Sequence, residues 1–334
     1  YASMVLGDLG AQVYKIESKT HPDLLKSMQP QVSQGVSTWY QALNRNKSII
    51  PLDLKDPQDH ARALELVRKA DILLEGFRPK VMERLGLGYQ QLRKIKPDLI
   101  YCSISGYGQQ TTRAGHDINF IALSGLNSFS GAANTPPPLS GMQIADVGAG
   151  SLYAVVGILT ALWHRQQTGE GQYLDVALLD TTIALATAPL SKFLAASTLP
   201  QQGDDILNGG SIYGYYETQD GRYISVGSLE EKFRRQLATC LGLPQLGLQD
   251  REVLQQKFKS KTFASWRKIF ADQDCCVEPS LNCAETFALQ HCQDRGLVVA
   301  VPTNVSNDTQ PQVAHPVRYS TIKPQYKHTG GTIV

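Results

Sequence analysis

Three side chains have the chemistry to move a proton on and off carbon: His116, Asp146 and Glu230. An imidazole titrates near neutrality, and a carboxylate at the head of a helix is held ionised by the backbone dipole. His116 stands in Gly115-His116-Asp117-Ile118-Asn119-Phe120, after a polar, glycine-containing loop. Asp146 directly precedes a helical pattern from Val147 to Gln167 that stops at Gly169, so it reads as that helix's N-cap. Glu230 follows a strand-like run ending at Gly227 and opens another helix. Each also has a plain structural role open to it, as a surface histidine, a cap and a helix start. Spacing alone does not join the three into a site.

Other chemistries leave no trace. There is no G-x-x-x-x-G-K-[ST] loop and no G-x-G-x-x-G between a strand and a helix, which speaks against a P-loop enzyme and against a nicotinamide-dependent one. Glu17 ends a strand-like run after Gly10, and without a glycine fingerprint it reads as an exposed strand-end carboxylate. The six cysteines, Cys102, Cys240, Cys275, Cys276, Cys283 and Cys292, form no C-x-x-C pair, so no metal site is expected. They read as reduced, mostly buried thiols of a cytoplasmic protein.

The elements that must position such residues alternate. Helical patterns are expected at Met4–Leu9, Pro57–Ala70 with Asp56 as cap, Pro79–Leu85 and Ala177–Phe193. Strands are expected at Gln12–Ile16, Asp71–Phe77, Leu99–Ile104 and Gln172–Val176. This alternation argues for a parallel sheet covered by helices, with ligands beyond the carboxyl ends of the strands. The segments to watch are Glu75-Gly76-Phe77-Arg78-Pro79 and Ser105-Gly106-Tyr107-Gly108. The character changes after a linker-like stretch near 197–210. Ser211–Thr218 and Tyr223–Gly227 then alternate like antiparallel strands around Gln219-Asp220-Gly221, and helices follow at Glu230–Leu241 and Phe263–Ala271. A strand-like run, Leu297–Val301, opens the tail.

The chain's 334 residues allow two domains. The expected division is a large α/β domain at 1–196, a small domain of hairpin plus helices at 197–294, and a return to the first at 295–334. Hydrophobic residues make up 42% and charged ones 19%, an ordinary globular balance. Lysine and arginine total 32 against 30 acidic residues, a net charge of +2 that argues against a nucleic-acid partner but allows a local basic site for a phosphorylated small molecule. The most apolar stretch, Tyr153–Trp163, falls short of the roughly 20 residues of a membrane helix. The start shows no signal-peptide pattern, and the missing initiator Met points to a start inside a longer reading frame.

Taken together, several segments resemble the CaiB/BaiF family, also called family III CoA-transferases, over nearly the whole chain. They are Leu9-Gly10-Ala11-Gln12-Val13-Tyr14-Lys15-Ile16-Glu17, Leu43-Asn44-Arg45-Asn46-Lys47-Ser48 with Leu52-Asp53-Leu54-Lys55, the two strand-end segments above, the segment around His116, Ala145-Asp146, and Arg165-Gln166-Gln167-Thr168-Gly169-Glu170-Gly171-Gln172. The family normally has a further strand before the point at which this chain begins. The resemblance implies a large domain with a Rossmann-like parallel sheet, a smaller α+β domain, and an interlocked homodimer with each chain's ring threaded through its partner's.

The resemblance also implies chemistry. A transferase of this family uses the aspartate at the position of Asp146 as a nucleophile, forming a mixed anhydride and then a CoA thioester. A racemase uses the same aspartate as acid and base with a histidine, here His116, supported by a glutamate, here Glu230, reaching across subunits. All three positions are filled, which favours the α-methylacyl-CoA racemase branch: epimerisation of 2-methylacyl-CoA thioesters through an enolate. A family III CoA-transferase is the alternative, and a non-catalytic CoA-binding protein is disfavoured by the filled triad. The N–H groups of Val147 and Gly148 are the expected donors to the enolate oxygen. CoA contacts are implied at Asp53, Leu54 and Lys55, at Gly76, Phe77 and Arg78, and at Gly115, Asp117 and Asn119. Arg78 is suited to gripping phosphate. Arg45 and Lys47 add positive charge for CoA, with a plain surface role also open to them, and Tyr107 and Phe77 are candidates to line the acyl or pantetheine channel. No separate cofactor is implied, since coenzyme A is part of the substrate. The expected setting is cytoplasmic fatty acid metabolism, away from membranes.

Overall fold

The computed structural model describes residues 1–32, 36–303 and 308–334. By contact the chain divides into two units: Tyr1–Phe120 with Met142–Thr182 and Phe287–Val334, and Ile121–Gly141 with Ile183–Thr286. This division by contact differs from the expected boundaries at 196/197 and 294/295. The second unit takes in an early excursion, Ile121–Gly141, and then runs from Ile183 to Thr286. The excursion carries Pro136-Pro137-Pro138 and no periodic apolar pattern, so nothing in its composition marks it as part of a folded unit.

The first unit holds the parallel strands. Ile100–Ser105 lies between Ile72–Glu75 and Tyr173–Ala177, parallel to both. Five of its six residues are buried, as suits a strand covered on both faces. A second parallel set has Lys47–Leu52 between Val13–Ser18 and the last strand, Thr332–Ile333. The expected parallel architecture is therefore present, with its strands hydrogen-bonded in two groups of three. The tail strand Val298–Pro302 pairs antiparallel with Thr309–Val313.

Local signals explain the helices. Asp56 caps Pro57–Lys69 by accepting from the N–H groups of Gln58 and Asp59, and Pro57 fits the first turn because its missing N–H would have no partner there. One continuous helical run spans Ile144–Thr168, its first eight residues π-helical and the rest α-helical. Gly169 ends it at φ +76°, a left-handed cap that favours glycine. This run is 25 residues long and apolar enough to cross a membrane by length and composition, which corrects the shorter stretch expected. Its residues Ala154, Val155 and Ile158 are instead buried with Cys102, Val176 and the helix Ala2–Asp8, the packing of a core helix. The expected helix Ala177–Phe193 is broken at Ala186 into Leu178–Leu185 and Thr187–Ala196. Pro189 has no N–H to continue the ladder, and its ring crowds the preceding turn.

Two basic residues expected at the surface lie inside. Arg45 is 2% exposed and forms a two-pronged ion pair with Asp8, its Nε 2.8 Å and its Nη2 2.5 Å from the carboxylate. It also donates to the carbonyl of Val313 at 2.8 Å, tying the tail to the first helix. Lys47 is buried too and donates to Asn44 Oδ1 at 3.2 Å, and burial with the nearby charge of Lys15 brings its ammonium down to about 7. Glu17 is likewise buried rather than exposed. Burial alone would raise its carboxyl, but hydrogen bonds from Lys15, Lys26 and Tyr40 outweigh that and hold it down at about 2.

The second unit contains the expected hairpin, Gly214–Glu217 with Tyr223–Val226, extended by a third strand, Val277–Pro279, that was not expected. Helices Glu231–Leu241, Arg251–Phe258 and Phe263–Phe270 cover it. Trp266 is fully buried, lies edge-on to Phe258, and donates its indole N–H to the Phe258 carbonyl at 2.8 Å. All six cysteines are free. Cys102, Cys275 and Cys292 are buried, while Cys276 and Cys283 are exposed, against the expectation that most are inside.

Candidate active site

A cavity of about 680 Å³ opens in the first unit beyond the carboxyl ends of Ile72–Glu75 and Ile100–Ser105. Its wall includes Glu75, Gly76, Phe77 and Arg78 from the first strand end, Ser105, Gly106 and Tyr107 from the second, and Gly115, His116, Asn119 and Asp146. The structure thus gathers His116 and Asp146, distant in sequence, on one wall with the proposed phosphate-gripping loop.

Asp146 is not an N-cap. It lies in the first turn of the π-helical segment Ile144–Ser151, half-buried, and Gln143 is the residue at the cap. The cap is supplied from elsewhere. Asp117 Oδ1 accepts from the N–H of Ala145 at 2.7 Å and of Asp146 at 3.0 Å. Asp117 therefore ties the histidine segment to the aspartate turn. Burial, and then the neighbouring Asp117 charge, push the Asp146 carboxyl above the usual carboxylate range, while His116 pulls the other way. The expected oxyanion donors are already engaged: the N–H groups of Val147 and Gly148 bond to the Gln143 carbonyl at 3.1 and 3.4 Å.

The backbone around His116 is held by Asn119. Its Oδ1 accepts from the His116 N–H at 3.0 Å, and its own N–H donates to the His116 carbonyl at 2.8 Å. Gly115 is a close-approach residue: a Cβ there would sit 2.6 Å from the Tyr107 hydroxyl and 2.8 Å from the Phe120 ring. Gly106 passes the same ring, where a Cβ would meet Phe120 at 2.7 Å. These three segments hold together only because two of their members lack side chains.

At the first strand end, Glu75 Oε2 accepts from the Phe77 N–H at 2.8 Å and so shapes the Gly76-Phe77-Arg78 turn. Its other oxygen accepts from the Ser103 hydroxyl, which receives a bond from Gln109 at 3.1 Å. Burial, followed by the charges of Glu83 and Asp175, pushes Glu75 up to about 7. Arg78 is exposed at the rim. Asp53, Leu54 and Lys55 are not on this wall. Asp53 receives the Lys55 N–H at 3.0 Å in a local turn and donates its own N–H to Asp59, while Leu54 packs on the core beneath. Sequence patterns did not point to Arg113, which lines the cavity with its guanidinium 5.0 Å from the Tyr107 ring centre, nor to Leu178. Among the described residues no group of histidine, cysteine and carboxylate side chains could hold a metal ion.

The family model described as CoA-transferase family III matches residues 1–330. The chain belongs to that family. Its similarity to the α-methylacyl-CoA racemase of Homo sapiens is 34% identity over 346 residues, covering 98% of this chain and 85% of the relative. Acetyl-CoA:oxalate CoA-transferase of Acetobacter aceti is 31% identical over 318 residues, covering 90% and 81%. The solved structure of a CaiB/BaiF family protein from Brucella suis superposes with a TM-score of 0.86 at 25% identity, covering 100% of this chain and 92% of that one. As a family III protein the chain is an enzyme of the CoA-transferase and racemase type.

In this family III chain, Glu230 belongs to the second unit and heads the helix Glu231–Leu241 without capping it. It is exposed, and its charge is felt by the neighbouring Cys276 thiol.

Proposed function

We propose that this protein is an acyl-CoA epimerase of the α-methylacyl-CoA racemase kind. The observation that carries the reading is the presence of His116 and Asp146 on one cavity wall. A thioester α-proton is weakly acidic, so its removal needs a base on one face and a proton donor on the other. The His116 imidazole takes the α-proton, the C–H electron pair moves into the thioester as an enolate, and the Asp146 carboxyl returns a proton to the opposite face. In the reverse direction the Asp146 carboxylate removes the proton and the His116 imidazolium supplies one. Arg78 at the rim, with Gly76 and Phe77, takes the phosphate end of the CoA moiety.

The test is incubation with a 2-methylacyl-CoA in deuterated water. Deuterium should enter the α position, and His116→Ala should abolish interconversion of the two epimers. No exchange by the wild type with any branched acyl-CoA would overturn the reading. The transferase reading is favoured by the Asp146 carboxyl itself, a possible nucleophile. It requires CoA exchange between an acyl-CoA and a free acid, and an Asp146 adduct trapped by hydroxylamine.

The proposed active form is an interlocked homodimer in which a second copy brings Glu230 to His116. An exposed apolar stripe on Leu152–Thr168, made of Leu152, Val156, Leu159 and Trp163, supports a partner there. Co-expressed His116→Ala and Glu230→Ala chains should then recover activity that neither has alone, because one of the two shared sites is intact. Absence of recovery in a purified mixed dimer would reject the shared site. Fatty acid metabolism in the cytoplasm remains the proposed setting.

A further inference from the structure

The cavity wall holds a hydroxyl with nothing to bond. The Tyr107 hydroxyl is closed off from solvent and, among the described residues, has no hydrogen-bond partner. A buried donor without a partner is costly and calls for an explanation. Its ring is held stiffly: it stands edge to face against Phe120 with centroids 5.1 Å apart, and the Arg113 guanidinium lies 5.0 Å from its centre. A Cβ on Gly115 would come within 2.6 Å of the hydroxyl, so the two lie close together. The hydroxyl is thus anchored beside the residue that precedes His116. The enolate needs donors, and the helix N–H groups expected to supply them, those of Val147 and Gly148, are already spent on Gln143. Ser105 Oγ is a second unpartnered hydroxyl on this wall, but it is not the one held against Gly115.

We infer that the Tyr107 hydroxyl donates a hydrogen bond to the thioester oxygen of the bound acyl-CoA and to the enolate oxygen it becomes. This rests on the acyl-CoA reading above. Tyr107 keeps its proton throughout. The α-proton goes to His116 or Asp146, and the phenol only stabilises the charge that develops on oxygen. The hydroxyl is left unpaired in the free enzyme and paired when substrate is bound, so its cost falls on the resting state.

Tyr107→Phe tests this, because it removes one oxygen and keeps the ring packing. Deuterium exchange, or CoA transfer if that is the wild-type reaction, should fall about 100-fold, with KM within about threefold. The melting temperature should hold or rise, since an unsatisfied buried group has gone. A rate within about twofold of wild type, or a loss matched by a lower melting temperature, overturns the proposal. A binding arm works without turnover. Wild type should bind a 2-methylacyl-CoA about three- to tenfold more tightly than the S-alkyl-CoA that lacks the thioester oxygen. Tyr107→Phe should erase that preference, and a preference that survives overturns the proposal. A wild type that catalyses neither reaction defeats the acyl-CoA reading, and the binding comparison still decides the role of Tyr107.

Discussion

The N–H of Asp146 donates to Oδ1 of Asp117 at 3.0 Å, and the N–H of Ala145 donates to the same oxygen at 2.7 Å. One carboxylate oxygen therefore sets the distance between the segment carrying His116 and the turn carrying Asp146. It acts as a cap from outside the helix. Asp117→Ala should lower the deuterium-exchange rate about 100-fold, the cost of a misplaced catalytic group. Asp117→Asn keeps an acceptor oxygen and should recover most of that rate. Equal losses in the two variants, measured under identical conditions, would remove this positioning role.

The same pair sets a pH dependence. Burial and the Asp117 charge raise the Asp146 carboxyl. Asp117→Asn removes a negative neighbour, so the Asp146 limb of the kcat/KM profile should move to lower pH. The profile is measured across the acidic range for wild type and variant. A limb that stays in place, or moves up, contradicts the coupling.

His116→Ala and Asp146→Asn each remove one acid–base group. Each should lower epimerisation by about 100- to 10,000-fold. Their combination should cost little more than the worse single variant, because inversion needs one group on each face of the carbon. Additive losses in the epimerisation rate would separate the two residues.

Glu75 predicts a stability trend with a definite sign. Its carboxyl is raised from 4.5 to about 7 on folding, so between those values the folded chain binds a proton that the unfolded chain has lost. Stability from this group is present at low pH and falls as pH rises through that window. Glu75→Gln should flatten the decline, measured as denaturation midpoints from pH 4 to 8. An unchanged slope would show that the raised carboxyl has no thermodynamic weight.

Asp8→Ala leaves the Arg45 guanidinium buried without its charge partner. The expected loss is about 3–5 kcal/mol by chemical denaturation. A loss within the range of an ordinary surface substitution would show that Arg45 is satisfied by the Val313 carbonyl and Gln312 alone.

Much of the frame was legible because its causes are local. Ile100–Ser105 stands out as an apolar run, Asp56-Pro57 announces a helix, and Gln219-Asp220-Gly221 announces a hairpin. What was illegible depends on distant partners. Arg45 reads as a surface cation until Asp8 and Gln312, 37 and 267 positions away, close around it. The strand-end segments located the cavity wall, and the histidine and aspartate came from the family resemblance. The work of Asp117 was invisible, because a side chain that caps another segment leaves no pattern at its own position. The early excursion Ile121–Gly141 into the second unit left no signal either.

The π-helical turn has a consequence for how this site can vary. Each residue of an α-helix turns the chain by about 100°, and a π turn holds one residue more than the α turn it replaces. Within Ile144–Ser151 that extra residue governs the bearing of Asp146 relative to the helix Leu152–Thr168 behind it. The bearing is encoded by a count and not by any one identity. A scan of single replacements through Val147–Gly150 would pass over it, whereas deleting one residue there would swing the carboxylate away and leave every named side chain in place. A single-codon deletion in this stretch would thus redirect Asp146 without changing any other residue of the cavity wall.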